Sequence, residues 1–76
     1  MNILRKPTPE VIIELTKKHN LTRAQAAGLI SVSVNTWHNW TAKVDTKDHR
    51  QMPLTAWELF LLKIDEHPTY KLVERN

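Results

Sequence analysis

The side chains of this sequence best suited to chemistry fall close together, at Val34, Asn35, His38, Asn39 and Ala42. An asparagine amide donates and accepts at once and can bond bidentately to the N6/N7 edge of adenine, while valine and alanine methyls can meet a thymine methyl. At about 100° per residue these positions share one side of a helix, and Trp37 and Trp40 share the other. One side is then core and the other a surface able to read base edges. A face exposed only for solvation would more often carry Lys and Glu, which have higher helix propensity than Asn, Thr, Val or His. The candidate base contacts are Val34, Asn35, His38 and Asn39.

Two short helices in immediate succession would position that face. Thr22 and Gln25 have the spacing of a capping box, and Arg23 sits in the first turn after it. Ala26, Ala27 and Ile30 follow at three- and four-residue steps, an apolar stripe narrow enough for close approach of another helix. Ser31 falls where the chain must turn, Val32 can plug the corner, and Ser33 is a second N-cap, so the next helix is expected over about residues 34–42.

Residues 23–42 resemble the helix-turn-helix of Cro/CI-type (XRE-like) repressors of phages and mobile elements, in the small or apolar Ala26, Ala27, Ile30 and Val32 followed by Trp37 and Trp40. Anti-CRISPR-associated regulators are similar. The resemblance implies an all-α, lambda-repressor-like domain of four to five helices. It places Arg23 on a phosphate, and Ser33, Val34, Asn35, His38 and Asn39 at base- or backbone-contacting positions of a recognition helix. The chain departs from the family at Ser31, where glycine is usual because positive φ is wanted; serine there costs strain. The one glycine, Gly28, lies three residues earlier, and a turn shifted toward it would move the recognition register.

The flanking chain supplies the rest of the core. Residues 1–6 read as an extended lead-in in which Arg5 and Lys6 are solvated or reach a phosphate. Thr8 and Pro9, with Glu10 behind them, start a helix over about residues 9–19. Val11, Ile12 and Leu15 form its buried stripe, Lys17 and Lys18 serve as helix-end charges, Asn20 closes it, and Leu21 anchors the connection. After Ala42 comes a polar loop whose Lys43, Lys47, His49 and Arg50 can meet phosphates, with Asp45 and Asp48 diluting the charge. In the resembling repressors such a loop lies along the DNA backbone, which favours Lys43 and Arg50. The alternative is a solvated loop.

The last helix is expected from Pro53 to about Glu66, opened by that proline or by Thr55 with Glu58. Leu54, Trp57, Phe60, Leu61 and Ile64 make one side, and Leu59 and Leu62 point elsewhere. That second apolar side requires cover, from the Tyr70 to Val73 tail beyond Pro68, as a short helix or an extended strand pairing across a dimer axis, or from a second subunit, and both together are favoured. Leu59 and Leu62 of the helix, with Tyr70 and Leu72 of a C-terminal tail of residues 67–76, are thus the candidate dimer interface. A two-fold dimer would present two recognition helices about 34 Å apart, matching a palindromic operator; a monomer remains the alternative.

Composition bounds the reading. Seventy-six residues make one small domain, with no cysteine for disulfides or thiolate metal sites. Net charge is +3, and residues 1–50 hold eight Lys/Arg against four Asp/Glu while residues 51–76 hold three against four, so the basic half contains the motif. No run of about 20 apolar residues and no signal peptide is visible, so a cytoplasmic protein without a membrane partner is expected. The four histidines lack metal-ligand spacing and read as dispersed surface or loop residues. Neither an acid pair nor a nucleophile with its base is recognisable, so no enzyme, cofactor or small-molecule effector is expected. The three tryptophans could stack on single strands, but all three fall on buried stripes. The expected function is repression by occupancy of double-stranded DNA. The alternatives are a protein-interaction adaptor of an antitoxin or phage packaging complex, using Leu59 and Leu62, and a recombination or excision accessory factor that bends DNA.

Overall fold

Four helices, α1 (Pro9–Lys18), α2 (Arg23–Leu29), α3 (Val34–Thr41) and α4 (Leu54–Lys63), form the secondary structure in a computed structural model that describes residues 4–73. Among the described residues there is no strand. Of the expected lead-in, residues 1–3 lie outside the described residues, as do residues 74–76 of the tail.

Each of the first three helices begins on the cap that its sequence offers. The Val11 amide donates to the Thr8 hydroxyl at 3.3 Å with Pro9 in the first helical position, where its missing N–H costs nothing. At α2 the Thr22 amide donates to Gln25 Oε1 at 2.9 Å and the Gln25 amide to Thr22 Oγ1 at 3.1 Å, a complete capping box. At α3 the Thr36 amide donates to Ser33 Oγ at 3.1 Å. Only α4 starts without a side-chain cap: Pro53 takes that position, and the alternative start at Thr55 and Glu58 is not used.

Three helices end alike, by a residue with left-handed backbone followed by a paired return of amides to the last turn. After α1, Asn20 has φ 56°, its amide donates to Lys17 O, and that of Leu21 to Thr16 O. After α2, Ser31 has φ 59°, its amide donates to Gly28 O, and that of Val32 to Ala27 O. After α4, Asp65 has φ 59°, with its amide on Leu62 O and that of Glu66 on Leu61 O. The turn between α2 and α3 is therefore at Ser31, and Gly28 stays within α2. The expected end of the last helix at Glu66 is corrected to Lys63, because Asp65 reverses the backbone there without the glycine that would mark it in a sequence.

The core is aromatic. Trp37 and Phe60 meet edge to face at 5.0 Å between centroids, with Trp40 and Trp57 each 6.1 Å from one of them. Around them lie Ile12 and Leu15 of α1, Ala26 and Ala27 of α2, Leu61 of α4, and Met52 from the segment before α4. The small alanines let α2 pack against both α3 and α4 while α1 packs on α3. Leu54 departs from the expected stripe: it occupies the first position of α4, ahead of the turn that enters the core, and is exposed. Val11 is only half-buried, and Ile13 is exposed.

Long-range polar contacts close this frame. The Trp57 indole N–H donates to Arg5 O at 2.6 Å, and Arg5 pairs with Glu14 at 2.9 Å, so the lead-in straps across α1 and α4. Glu66 takes both Lys18 and His19 at 2.8 Å, tying the end of α1 to the turn after α4. His67 Nδ1 accepts the amides of Thr69 and Tyr70, which leaves its hydrogen on Nε2, facing Glu58 at 2.9 Å. Turned in this way, residues 69–73 form no helix, and Tyr70, Leu72 and Val73 are exposed.

Candidate functional site

The site is built on α3, whose two indoles set its rotation. Trp37 and Trp40 are 1% and 7% exposed, so the helix turns Asn35 outward. By the helical 100° step, Asn35 and Ala42 mark the centre of the outward face, with His38 and Asn39 about 50° to either side of it. Both of these are half-buried, and Val34 is exposed at the edge next to His38. Asparagine sides of the helix are not sealed beneath another segment, and the four candidate base contacts share one continuous surface.

That surface has two different flanks. The loop of residues 43–51 crosses the end of α3: Lys43, Val44 and Asp45 border a groove with Thr41 and with Pro9, Glu10 and Ile13 of α1, while the far end is fastened back to α3 toward Asn39, the Arg50 amide donating to Asn39 O at 2.9 Å and His49 Nδ1 lying 3.1 Å from Ala42 O. A carbonyl can only accept, so Nδ1 carries the hydrogen of that contact. Lys43 and Lys47 are exposed, and Arg50 Nη1 donates to Lys47 O and His49 O, which fixes the direction of its guanidinium and leaves other N–H groups outward. The loop is thus a held cationic arm rather than a free linker. Asp45 and Asp48 are exposed on it as well.

On the His38 side a cleft of about 380 Å³ separates α3 from the end of α1 and the start of α2. Ile13, Leu21 and Trp37 give it apolar walls, and Lys17, Arg23 and His38 line it with nitrogen. Arg23, for which the resemblance implies a phosphate contact, is exposed there. Among the described residues neither Lys17 nor Arg23 has a carboxylate within salt-bridge distance, in contrast to Arg5 and Lys18. No Asp or Glu occurs in α2 or α3. Cationic side chains thus border the outward face, Lys17 and Arg23 at the cleft and Lys43, Lys47 and Arg50 on the loop beside Asp45 and Asp48, and the face itself carries no Asp, Glu, Lys or Arg.

Ser33 is at the start of α3 and exposed, yet its hydroxyl is already engaged: it accepts the Thr36 amide and donates to Thr36 Oγ1 at 2.9 Å. A hydrogen bond from Ser33 to an external anion would have to replace the second of these. Lys17 is the residue that sequence reasoning passed over, having been assigned to the helix end. Its spacing four residues after the exposed Ile13 places the two on one side of α1, outside the Ile12 and Leu15 stripe, and is the signal that could have found it.

The candidate dimer residues lie elsewhere. Leu59 is exposed and Leu62 half-buried on α4, while Tyr70 and Leu72 project from the tail. Among the described residues no helix is long and apolar enough to cross a membrane, and no three His, Asp or Glu side chains gather as a metal site requires. Compared with protein-family models, curated proteins and solved structures, the chain gives no match, so the reading of α3 and its flanks rests on their own geometry.

Proposed function

We propose that this chain is a sequence-specific double-stranded DNA-binding regulator of the Cro/CI-like helix-turn-helix kind, acting as a dimeric repressor that occupies a palindromic operator. The observation that carries the reading is the rotation of α3: two buried indoles turn Asn35, Asn39 and Val34, with His38 at the edge, outward on a face without Asp, Glu, Lys or Arg, bordered by cationic side chains. In this division of labour, Arg23, Lys43, Lys47 and Arg50, with Ser33 once released from Thr36, hold phosphates, and the α3 face reads base edges. Phosphate contacts set the register of the helix in the major groove; the amides then discriminate. Occupancy in this reading follows protein concentration, as autoregulation requires.

Selection of bound sites from random duplexes tests the reading directly. A recovered palindrome with half-sites one helical turn apart is the expected outcome. Asn39→Ala should then cost roughly 1–3 kcal/mol at one base pair of the recovered site and relax preference there. Failure to retain any duplex, with capture of a protein through the Leu59 side instead, would replace the repressor by an adaptor. Retention accompanied by strong bending without a preferred palindrome would point to a recombination accessory factor.

A further inference from the structure

In that scheme the cleft between α1, the start of α2 and α3 contributes only Arg23, for a phosphate, and His38, at the edge of the reading face; its other lining residues have no part. Three nitrogen-bearing side chains from three different helices, Lys17, Arg23 and His38, line it together with the apolar Ile13, Leu21 and Trp37. No carboxylate lines this cleft, and among the described residues neither Lys17 nor Arg23 is held in an ion pair, so both side chains can turn to an incoming anion. His38 belongs to it by rotation: it leans about 50° from the centre of the α3 face toward Trp37 and Thr41, the flank that borders the cleft.

We infer that this cleft seats a backbone phosphate of the bound duplex, gripped by Lys17 and Arg23 together with His38, and that His38 is a positioning residue rather than a reader of bases. The ligand chemistry is a phosphodiester: the anion meets the three side chains while the sugar rests on Ile13 and Leu21. Its size allows this, since about 380 Å³ exceeds what a phosphate alone fills. The opposite strand is then held by the arm of Lys47 and Arg50 on the other flank, and only Asn35, Asn39 and Val34 remain between the two strands to discriminate. The inference rests on the proposed DNA-binding function and adds Lys17 to it.

The test uses the full chain with two duplexes, one selected and one scrambled, titrated at several salt concentrations. Lys17→Ala is compared with Lys63→Ala, an equal loss of charge at the exposed end of α4. Lys17→Ala is expected to weaken both duplexes by the same factor, about five- to tenfold at 0.1 M salt, and to lower the slope of log K against log salt by about 0.9. His38→Ala is expected to weaken both equally and to leave the recovered base preferences as they were. Thermal melts of each variant establish that it is folded. Equal behaviour of Lys17→Ala and Lys63→Ala, or a change of preferred base in His38→Ala, overturns the inference while leaving the DNA-binding reading in place. Absence of duplex binding by the unmodified chain overturns both. Inorganic phosphate alone is the third arm: saturable shifts of the Trp37 indole and Thr41 amide at submillimolar phosphate would make the cleft a small-anion site and overturn the backbone assignment.

Discussion

Ser31 is the residue at which the backbone departs furthest from the preference of its side chain. Left-handed φ costs an L-residue about 1–2 kcal/mol, and glycine escapes that cost while losing about 0.5–1 kcal/mol through its freer unfolded state. Ser31→Gly is therefore expected to stabilise the fold by about 0.5–1 kcal/mol, with a smaller gain at Asn20 and Asp65, whose side chains tolerate this region better. Gly28 is the mirror case: it has no positive φ, and a Cβ there would meet nothing within 4 Å. Gly28→Ala should add about 0.5–1 kcal/mol by helix propensity alone. Chemical denaturation of the two single variants checks both, and a loss of stability in either would refute the corresponding conformational assignment. At this scale the sequence was most legible where chemistry is local. Thr8, Thr22 with Gln25, and Ser33 act within three residues of themselves, and the indoles announce their side by helical period. The histidines were illegible for the opposite reason: His19 finds its partner 47 positions away.

At the scale of elements, the end of α1 and the turn after α4 are joined by one carboxylate. The hydrogen bond from Lys18, then that from His19, hold the Glu66 carboxyl below its ordinary value of 4.5, against an opposing push from burial. A carboxyl whose folded pKa is depressed contributes stability in full above its unfolded value, and that contribution disappears as pH falls through the folded one. Stability should accordingly decline as pH drops below about 4.5. Glu66→Gln should cost about 0.5–1 kcal/mol at neutral pH, as a partly exposed ion pair does, and flatten the acid decline. Urea titrations from pH 7 down to the acid limb decide this, and an unchanged acid slope in Glu66→Gln would remove the carboxylate from the account. The same clasp explains a misread boundary. Apolar period alone carried the last helix to Glu66, whereas Asp65 bends the chain so that Glu66 can face α1. Met52 and the strap through Arg5 were missed because each gains its place only from the assembled helices.

The whole molecule is short of buried surface, since a chain of this length hides only about 60% of what unfolding exposes. Its apolar residues are not all used: Leu59, Tyr70, Leu72 and Val73 remain exposed, and the tail leaves the outer side of α4 open. The number and order of the helices followed from periodicity and caps, but the fate of that outer side depends on what approaches it, which no intrachain pattern encodes. A second copy is the cover that the proposed palindrome calls for, because a two-fold dimer presents the same surface twice to two half-sites. Pairing that stabilises the folded state makes stability depend on concentration. Denaturation midpoints should rise as protein concentration is raised from micromolar upward, and sedimentation should follow the same equilibrium. Leu59→Lys should abolish both effects, because it places a charge in the apolar contact while altering a side chain that the monomer core does not need. Affinity for the palindrome should then fall toward that for an isolated half-site, with preference within the half-site intact. Midpoints independent of concentration, together with palindrome binding that Leu59→Lys leaves untouched, would exclude pairing through α4 and require the two half-sites to be filled by independent monomers.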